Sequence, residues 1–372
     1  MKDYLKVLGI VLALLMMQEA AQAQQFPQQV ALRVLDINVW SGLDYKGNLK
    51  MGEYEIASVR EKRFKALVEQ IKELKPDIIG IHEANKLPNF VLRLGDEIGF
   101  QVFYHVGLGG IRLGALGLPS NLREGDAILV QRHLYAEFIG RKQLSGGYVG
   151  NWASFHFSDA TQILAIKIVL NNMPLFVFAT HWHASLTGSP EIMAKASELL
   201  QNNETNETEF QNLLADIENG RQWRLSESEK TIDFIRRKAG DHPFILMGDF
   251  NAESNSQEIS RLIQYGMVDT YSFFNQDTLG YTWDPNENLN QKIYYLEDQF
   301  PPCGIRLIDK MERYSKFISK RIDYIFIGPA LLISSNLVSV QSSQVVMKKI
   351  IDGVHASDHF GIFTVLNISN LR

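Results

Sequence analysis

Short apolar runs rich in β-branched and aromatic residues alternate with helix-like segments along the chain. The runs have the length and composition of buried strands, and the segments between them have the three- and four-residue spacing of helices that cover a sheet. The predicted strands are Val30–Val39, Ile78–Ile81, Ala127–Val130, Gln162–Val169, Leu175–Ala179, Phe244–Met247, Asp323–Ile327 and Gly361–Val365. Mixed strand pairs and helical crossovers together favour an α/β fold of two packed sheets with helices outside.

The clearest helical pattern follows the first predicted strand. Ser58 and Glu61 have the spacing of a capping box, which predicts the start of the helix, and Pro76 predicts its end. Apolar side chains with helical spacing follow the box at Phe64, Leu67, Val68 and Ile71. A second helix is predicted over Ser228–Lys238, between two predicted strands.

The first 23 residues have the pattern of a signal peptide. Lys2 and Lys6 precede the apolar run Val7–Met17, and Ala21-Gln22-Ala23 supplies the small residues of a cleavage site. The run is shorter than the roughly 20 residues that span a bilayer, and no later stretch is long and apolar enough to do so. We therefore expect a secreted or periplasmic protein without a transmembrane anchor after cleavage.

Residues 24–372 contain no internal repeat and no linker rich in Pro, Gly or Ser, which predicts a single domain. Within it, residues 187–218 are helix-prone and acidic, because seven carboxylates are accompanied by one lysine, Lys195. The segment is interpreted as a helical insertion. A solvated surface insertion and a lid over the functional site remain open alternatives.

Composition narrows the class of protein. With 45% hydrophobic and 21% charged residues, the chain is an ordinary globular protein and is neither disordered nor a coiled coil. The formal net charge of -5 provides no overall positive field for a polyanion such as nucleic acid, although a local basic patch remains open. The single cysteine, Cys303, excludes an intramolecular disulfide and is interpreted as a small buried side chain.

Polar residues that end or begin apolar strands carry the chemical information. Strand ends in α/β folds point into the crevice where ligands bind, although a capping or turn role explains each residue taken alone. The places are Asn38, Glu83, His181 with His183, Gly248-Asp249-Phe250-Asn251, Arg321-Ile322-Asp323-Tyr324 and Ser357-Asp358-His359. Together they supply oxygen ligands for a hard divalent ion, donors for phosphoryl oxygens and a histidine base, which is the inventory of phosphoester hydrolysis.

These motifs, in this order and with Pro76-Asp77-Ile78 leading to Glu83, resemble those of the endonuclease/exonuclease/phosphatase superfamily. The resemblance covers about residues 30–367. It implies a four-layered sandwich, in which two packed mixed β-sheets carry helices on their outer faces.

The resemblance also implies a role for each motif residue. Glu83 would hold Mg²⁺, or Mn²⁺ or Ca²⁺ as alternatives, with help from Asn38 and Asp358. Asn251 and His181 would donate hydrogen bonds to the phosphoryl oxygens, and Asp249 would orient the attacking water or assist the metal. His359 would be the general base, oriented by Asp323.

The segment Thr180-His181-Trp182-His183-Ala184 is similar to one in animal-type neutral sphingomyelinases, as are Gly146-Gly147-Tyr148 with Trp152 and Pro302-Cys303-Gly304-Ile305-Arg306. We therefore expect a secreted phosphodiesterase whose substrate is a membrane phospholipid. Tyr148, Trp152 and Trp283 are interpreted as interfacial aromatics or as ordinary core and rim residues. The chain lacks the C-terminal pair of transmembrane helices found in the animal enzymes and the aromatic-tipped hairpin of secreted bacterial sphingomyelinases.

Three alternatives stay open. A secreted nuclease of the same superfamily would use the same residues on nucleic acid. A zinc hydrolase would bind its metal through His181 and His183, which lie on one face of a strand. A binding module without activity would keep the fold but would not need His359.

Overall fold

The computed structural model describes residues 30–44, 52–53, 55–108, 112–113, 116–117, 124–145, 153–154, 161–170, 172–291, 306–333 and 338–368. The predicted signal peptide over residues 1–23 lies outside these residues. So do Gly146-Gly147-Tyr148, Trp152 and Pro302-Cys303-Gly304-Ile305, which carry part of the similarity to sphingomyelinases.

Two mixed sheets of six strands each form the centre of the protein. In the first sheet the strand order is Val338–Val346, Gly361–Ile368, Val30–Asn38, Ile78–Ala84, Glu124–Gln131 and Phe100–Leu108. In the second it is Val268–Asp269, Asp323–Ile327, Phe244–Asp249, Met173–His181, Gln162–Leu170 and Glu137–Gln143. Short strands pair elsewhere at Leu43–Asp44, Gly52–Glu53, Arg112–Leu113, Leu116–Gly117 and Ala153–Ser154.

Alternating side chains of the strands separate the apolar residues into layers. Val34 and Ile78 of the first sheet pack with Val177 and Ile245 of the second in a cluster between the sheets. The residues that alternate with them face outward into two further clusters, each covered by helices. The result is the predicted four-layered sandwich, and this prediction is confirmed.

Helices cover both outer faces. The described helices are Ala57–Leu74, Asn89–Ile98, Pro190–Gln201, Glu207–Ala239, Gln257–Gln264, Thr270–Phe274, Leu307–Ser315 and Pro329–Ile333, with a 3₁₀ turn at Arg132–Leu134. The first two cover the first sheet, and Glu207–Ala239 with Gln257–Gln264 covers the second. Within the described ranges, none of these helices has the length and apolar character that a bilayer crossing requires.

Every predicted strand is present, but the capping box is wrong. The first helix begins at Ala57 after the extended residue Ile56, and no side chain caps its amides, so Ser58 lies inside the first turn. The helix ends at Leu74, where Lys75 adopts the left-handed conformation. The helix predicted over Ser228–Lys238 is the C-terminal part of a 33-residue helix.

The acidic segment folds as Pro190–Gln201 and the first part of Glu207–Ala239. Its apolar side chains, including Ile192 and Leu213, form a small cluster with Leu307 and Met311 of the Leu307–Ser315 helix. The apolar faces of these helices pack together in their own cluster, and the carboxylates lie on the other faces. Its status as an insertion and its role as a lid stay predictions.

A buried arginine ties the first helix to two loops at one end of the sandwich. Arg63 donates from Nη1 to the carbonyl oxygens of Val39 at 2.8 Å and Ala356 at 3.0 Å, and from Nη2 to that of Trp40 at 3.2 Å. Its Nε and Nη2 donate to the Glu55 carboxylate at 2.6 and 2.9 Å. Only the planar fork of a guanidinium satisfies these acceptors together.

We predict that Arg63→Lys lowers the free energy of unfolding by about 3 kcal/mol, because lysine leaves buried carbonyls and a buried carboxylate unpaired. Arg93→Lys is the matched control on another helix, since its bidentate pair with Glu61 is exposed and is worth at most about 1 kcal/mol. Urea denaturation of both variants measures the difference. Equal losses in the two variants would contradict the anchoring role of Arg63.

Candidate active site

Each six-stranded sheet contains one parallel strand pair among the pairs described, and the C-terminal ends of both pairs carry predicted site residues. In the second sheet, His181 is directly opposite Asp249 in the parallel pair, and Asp249 is directly opposite Asp323 in the neighbouring antiparallel pair. Strand register therefore places an imidazole and two carboxylates side by side in a row across three strands.

The first sheet contributes Asn38 and Glu83 from its parallel pair. The pairing of Ile78–Ala84 with Glu124–Gln131 is irregular between Ile81 and Ala84, and Glu83 has a positive φ of 54°. A bulge of this kind re-aims a side chain, and the left-handed conformation is uncommon for a residue like glutamate. Local strain thus turns the Glu83 carboxylate toward the second sheet.

The Asn38 amide links the two sheets. Its Nδ2 donates to Glu83 Oε1 at 2.9 Å and to Asp249 Oδ2 at 3.0 Å, while its Oδ1 accepts from the backbone amide of Trp40 at 2.9 Å. The Trp40 contact sets which way the amide points. Asn38 therefore holds two carboxylates close together, and its oxygen is already engaged. Its predicted role as a metal ligand stays a prediction.

Asn251 and His181 are in contact, as their shared predicted role requires. Asn251 has a φ of 47°, and its Nδ2 donates to the Trp182 carbonyl at 3.0 Å and lies 3.2 Å from His181 Nε2. Burial lowers the pKa of His181, but Asp249 and Glu83 outweigh burial and raise it. The raised pKa favours the protonated imidazole, which can donate a hydrogen bond to an anionic oxygen.

His359 is oriented by two contacts. Its Nδ1 donates to Asp323 Oδ2 at 2.9 Å, and its backbone amide donates to Ser357 Oγ at 3.2 Å. Burial lowers the pKa of His359, but the Asp323 carboxylate, assisted by Asp249 and Asp358, raises it to about 10. The other ring nitrogen, Nε2, faces away from Asp323. Trp283 packs edge-on against the imidazole, with ring centroids 5.2 Å apart.

Carboxylates crowd this pocket. Ligand atoms of Glu83, His181 and Asp249 lie within 4.8 Å of one another, and so do those of Asp249, Asp323 and His359. Asp323 Oδ1 is buried without a hydrogen-bond partner among the described residues. Burial has the largest effect on the pKa of Asp358 and, together with the nearby charge of Glu83, raises it to about 6. Hard oxygen donors in excess of nearby positive charge fit a divalent cation.

A buried histidine, His82, lies behind the site between two carboxylates. His82 Nε2 lies 2.9 Å from Asp36 Oδ1, and its Nδ1 lies 3.1 Å from Asp126 Oδ1. Burial lowers the pKa of His82, but the two carboxylates outweigh burial and raise it well above its ordinary value. Its ring centroid is 6.3 Å from that of His181. The two carboxylates therefore favour the protonated form of this imidazole behind the candidate site.

His183 does not join the site cluster. It belongs to neither ligand group among the described residues, and its ring lies 4.6 Å from that of Trp223. Glu227 Oε2 accepts from its backbone amide at 2.9 Å, and the same carboxylate accepts from Ser145 and Thr161 hydroxyls at 2.5 Å. The long helix therefore holds the His183 backbone, while His181 alone enters the pocket.

Sequence reasoning missed the charged residues that support the site from behind. Asp36 precedes Asn38 by two residues and so lies on the same face of its strand, which is the one signal that indicated it. Arg63 lies in the mostly charged stretch 60–65 and Asp126 directly precedes an apolar run, so nothing in their local sequence distinguishes them from solvated residues. Arg321, a motif residue, forms a buried pair with Asp269 at 2.6 Å rather than reaching the pocket cluster.

Comparisons with known proteins identify the family to which the chain belongs. A model of the Endonuclease/Exonuclease/phosphatase family matches residues 37–359. A search of curated proteins finds no significant match.

Several solved structures share the fold at low identity. An endonuclease/exonuclease/phosphatase from Bacteroides vulgatus aligns with a TM-score of 0.55 and 14% identity, covering 91% of this chain and 100% of its own. D. rerio TDP2 complexed with a single-strand DNA product aligns with a TM-score of 0.54 and 15% identity, covering 91% of this chain and 99% of its own. The human Nocturnin catalytic domain with bound sulfate aligns with a TM-score of 0.52 and 13% identity, covering 92% of this chain and 98% of its own.

We predict that Asp323→Asn lowers the pKa of His359 in protein stripped of metal by a chelator. The carboxylate that favours the imidazolium is removed while its shape is kept. The stability that the wild-type pair supplies is full below the ordinary histidine value of 6.5 and is lost as the pH rises through about 10. The variant should therefore lose more unfolding free energy at about pH 6 than at about pH 10.

Histidine NMR titration measures this pKa directly, and denaturation at the two pH values measures the stability. Asp241→Asn, at an exposed turn, is the matched control and should leave the His359 titration unchanged. An unchanged His359 pKa in Asp323→Asn would show that the pair does not control the protonation of the imidazole.

Proposed function

The chain belongs to the endonuclease/exonuclease/phosphatase family, whose members hydrolyse phosphodiester bonds, and from this premise we propose that it is a divalent-metal-dependent phosphodiesterase. The observation that carries the proposal is the convergence of Glu83 and Asp249 with the His359–Asp323 pair in one pocket. Neither a turn nor a cap explains why residues from four distant stretches meet there.

The donor set fits a hard cation. Glu83 is the principal ligand in this proposal, and Asp358 is the second, because its carboxylate is close enough to Glu83 for their charges to repel. Mg²⁺ is the preferred ion, with Mn²⁺ or Ca²⁺ as alternatives. When bound, the ion supplies positive charge that offsets the anionic phosphodiester and the surrounding carboxylates.

The chain's own groups perform the rest of the reaction. Asn251, held by the Trp182 carbonyl, and His181 donate hydrogen bonds to the phosphoryl oxygens, where negative charge increases during attack. His359 in its neutral form, which offsetting the charge of the surrounding carboxylates would favour, accepts a proton from the attacking water at Nε2. Asp323 keeps the proton on Nδ1 and stabilises the imidazolium that forms. Asp249 orients the water or assists the metal.

For the substrate, we propose a membrane phospholipid cleaved in a sphingomyelinase-like reaction by a secreted enzyme. The Thr180-His181-Trp182-His183-Ala184 segment and the signal-like N-terminus support this choice. The second candidate is a nuclease. It is favoured by the fold shared with D. rerio TDP2, whose structure holds a single-strand DNA product.

We predict that Glu83→Gln and His359→Ala each reduce turnover of the phosphodiester substrate at least about 100-fold, because one removes a metal ligand and the other the base. Thermal stability of Glu83→Gln should stay close to that of the wild type, since the change relieves crowding of carboxylates. His359→Ala should lose only the stability that the buried pair with Asp323 supplies. Steady-state kinetics with Mg²⁺, together with thermal denaturation, measures both effects. Residual rates above about a tenth of wild type in both variants would refute the mechanism.

His183→Ala is the matched control, because His183 lies beside the pocket but outside the ligand groups. We expect it to retain most activity, whereas a zinc hydrolase would lose activity and recover it with zinc.

The mature protein, assayed on sphingomyelin, other choline phospholipids, phosphoinositides and plasmid DNA, identifies the substrate. Chelator should abolish hydrolysis and Mg²⁺ should restore it. Faster cleavage of DNA than release of phosphocholine would favour the nuclease.

A further inference from the structure

Lys320 is a charged residue at the pocket to which the proposed mechanism assigns no role. It lies three positions before Asp323, the first residue of the strand Asp323–Ile327. Its ammonium lies over the Trp283 ring, 5.5 Å from the centroid, and the same indole packs edge-on against His359. Trp283 therefore contacts both the candidate base and a lysine.

The backbone holds this arrangement firmly. The Lys320 carbonyl accepts from the amides of Thr282 at 3.2 Å and Trp283 at 3.0 Å, and the Lys320 amide donates to the Trp283 carbonyl at 2.9 Å. The indole Nε1 donates to the Lys316 carbonyl at 3.1 Å. With both residues fixed by several hydrogen bonds, the ammonium is confined to the Trp283 side of the pocket.

The surroundings of Lys320 leave its charge without a direct partner. Burial lowers its pKa, and the nearby carboxylates of Glu253 and Asp249 partly offset that effect. Neither forms an ion pair with it, and within the described ranges no hydrogen bond engages the ammonium. The ammonium beside Trp283 is therefore available to an anionic ligand.

The substrate supplies the missing partner. A phosphodiester anion approaching Glu83, Asp249 and Asp323 meets strong like-charge repulsion, and fixed positive charge beside its path reduces that repulsion. We propose that the Lys320 ammonium binds a phosphoryl oxygen of the substrate on the Trp283 side of His359. This inference rests on the proposed function and adds to it a residue that recognises the anionic group.

Three variants test the role of Lys320. Lys320→Met removes the charge and keeps an unbranched stem over Trp283, and Lys320→Arg keeps the charge. Lys316→Met removes a neighbouring lysine and keeps the backbone carbonyl that accepts from the Trp283 indole. We expect Lys320→Met to lower kcat/KM for the diester substrate about 10- to 100-fold, the value of a charge-assisted hydrogen bond, and Lys320→Arg to recover most of the loss. Lys316→Met should remain within about twofold of wild type.

Binding of inorganic phosphate, measured by calorimetry in the presence of Mg²⁺, provides a readout independent of turnover. Lys320→Met should weaken the phosphate Kd about tenfold, whereas Mg²⁺ affinity should not decrease, because removing a cation does not remove a ligand. Phosphate binding and kcat/KM equal to wild type in Lys320→Met would overturn the inference, and so would a wild-type protein that binds no phosphate.

The two proposals fail in different ways. A wild-type protein that hydrolyses no diester but binds phosphate through Lys320 would overturn the proposed function and leave this inference standing. Hydrolysis that is unaffected by Lys320→Met would overturn this inference and leave the proposed function standing.

Discussion

Negative charge concentrated at one end of the two sheets is the constraint on which this protein's site depends. Glu83, Asp249, Asp323 and Asp358 all lie there, and three of them are almost completely buried. Burial, together with the nearby charge of Glu83, raises the pKa of Asp358. A protein that maintains such a pocket must hold positive charge and donors around it.

The fold supplies those groups from behind the pocket. The Asn38 amide donates to two of the carboxylates, the imidazole of His82 lies beneath them between Asp36 and Asp126, and Arg63 anchors the loops at the strand ends. In the proposed function, a cation and an anionic substrate bind at these carboxylates. The same excess of carboxylate is the reason for the proposed role of the Lys320 ammonium, which binds the anionic group of the substrate.

How far the sequence predicts the fold depends on where a strand lies in its sheet. Central strands such as Ile78–Ala84 and Phe244–Asp249 are covered on both faces, so they are continuously apolar and easily recognised. The strands that the pattern missed, Phe100–Leu108, Glu137–Gln143 and Val338–Val346, are all edge strands with polar or small residues among the apolar ones. The capping box failed because tertiary packing, and not the local cap, sets where the first helix begins.

The identity of the site residues is predictable from the sequence, but the way the fold brings them together is not. Glu83, Asp249 and His359 stand where buried strands end or begin, and polar residues at those positions are visible in one sequence. The bulge that turns Glu83 into the pocket, and the register that places His181 opposite Asp249, depend on pairing between distant strands. Arg63 and His82 act through contacts with residues far away in the chain, so their local sequence carries no signal.

Diffraction from crystals grown with Mn²⁺ tests the central claim most directly, since the anomalous signal locates the ion without reference to activity. The account predicts a peak at coordinating distance from a Glu83 carboxylate oxygen, about 2.2 Å. Manganese bound only at other surfaces, with the Glu83 and Asp358 carboxylates free of it at saturating concentration, would contradict it.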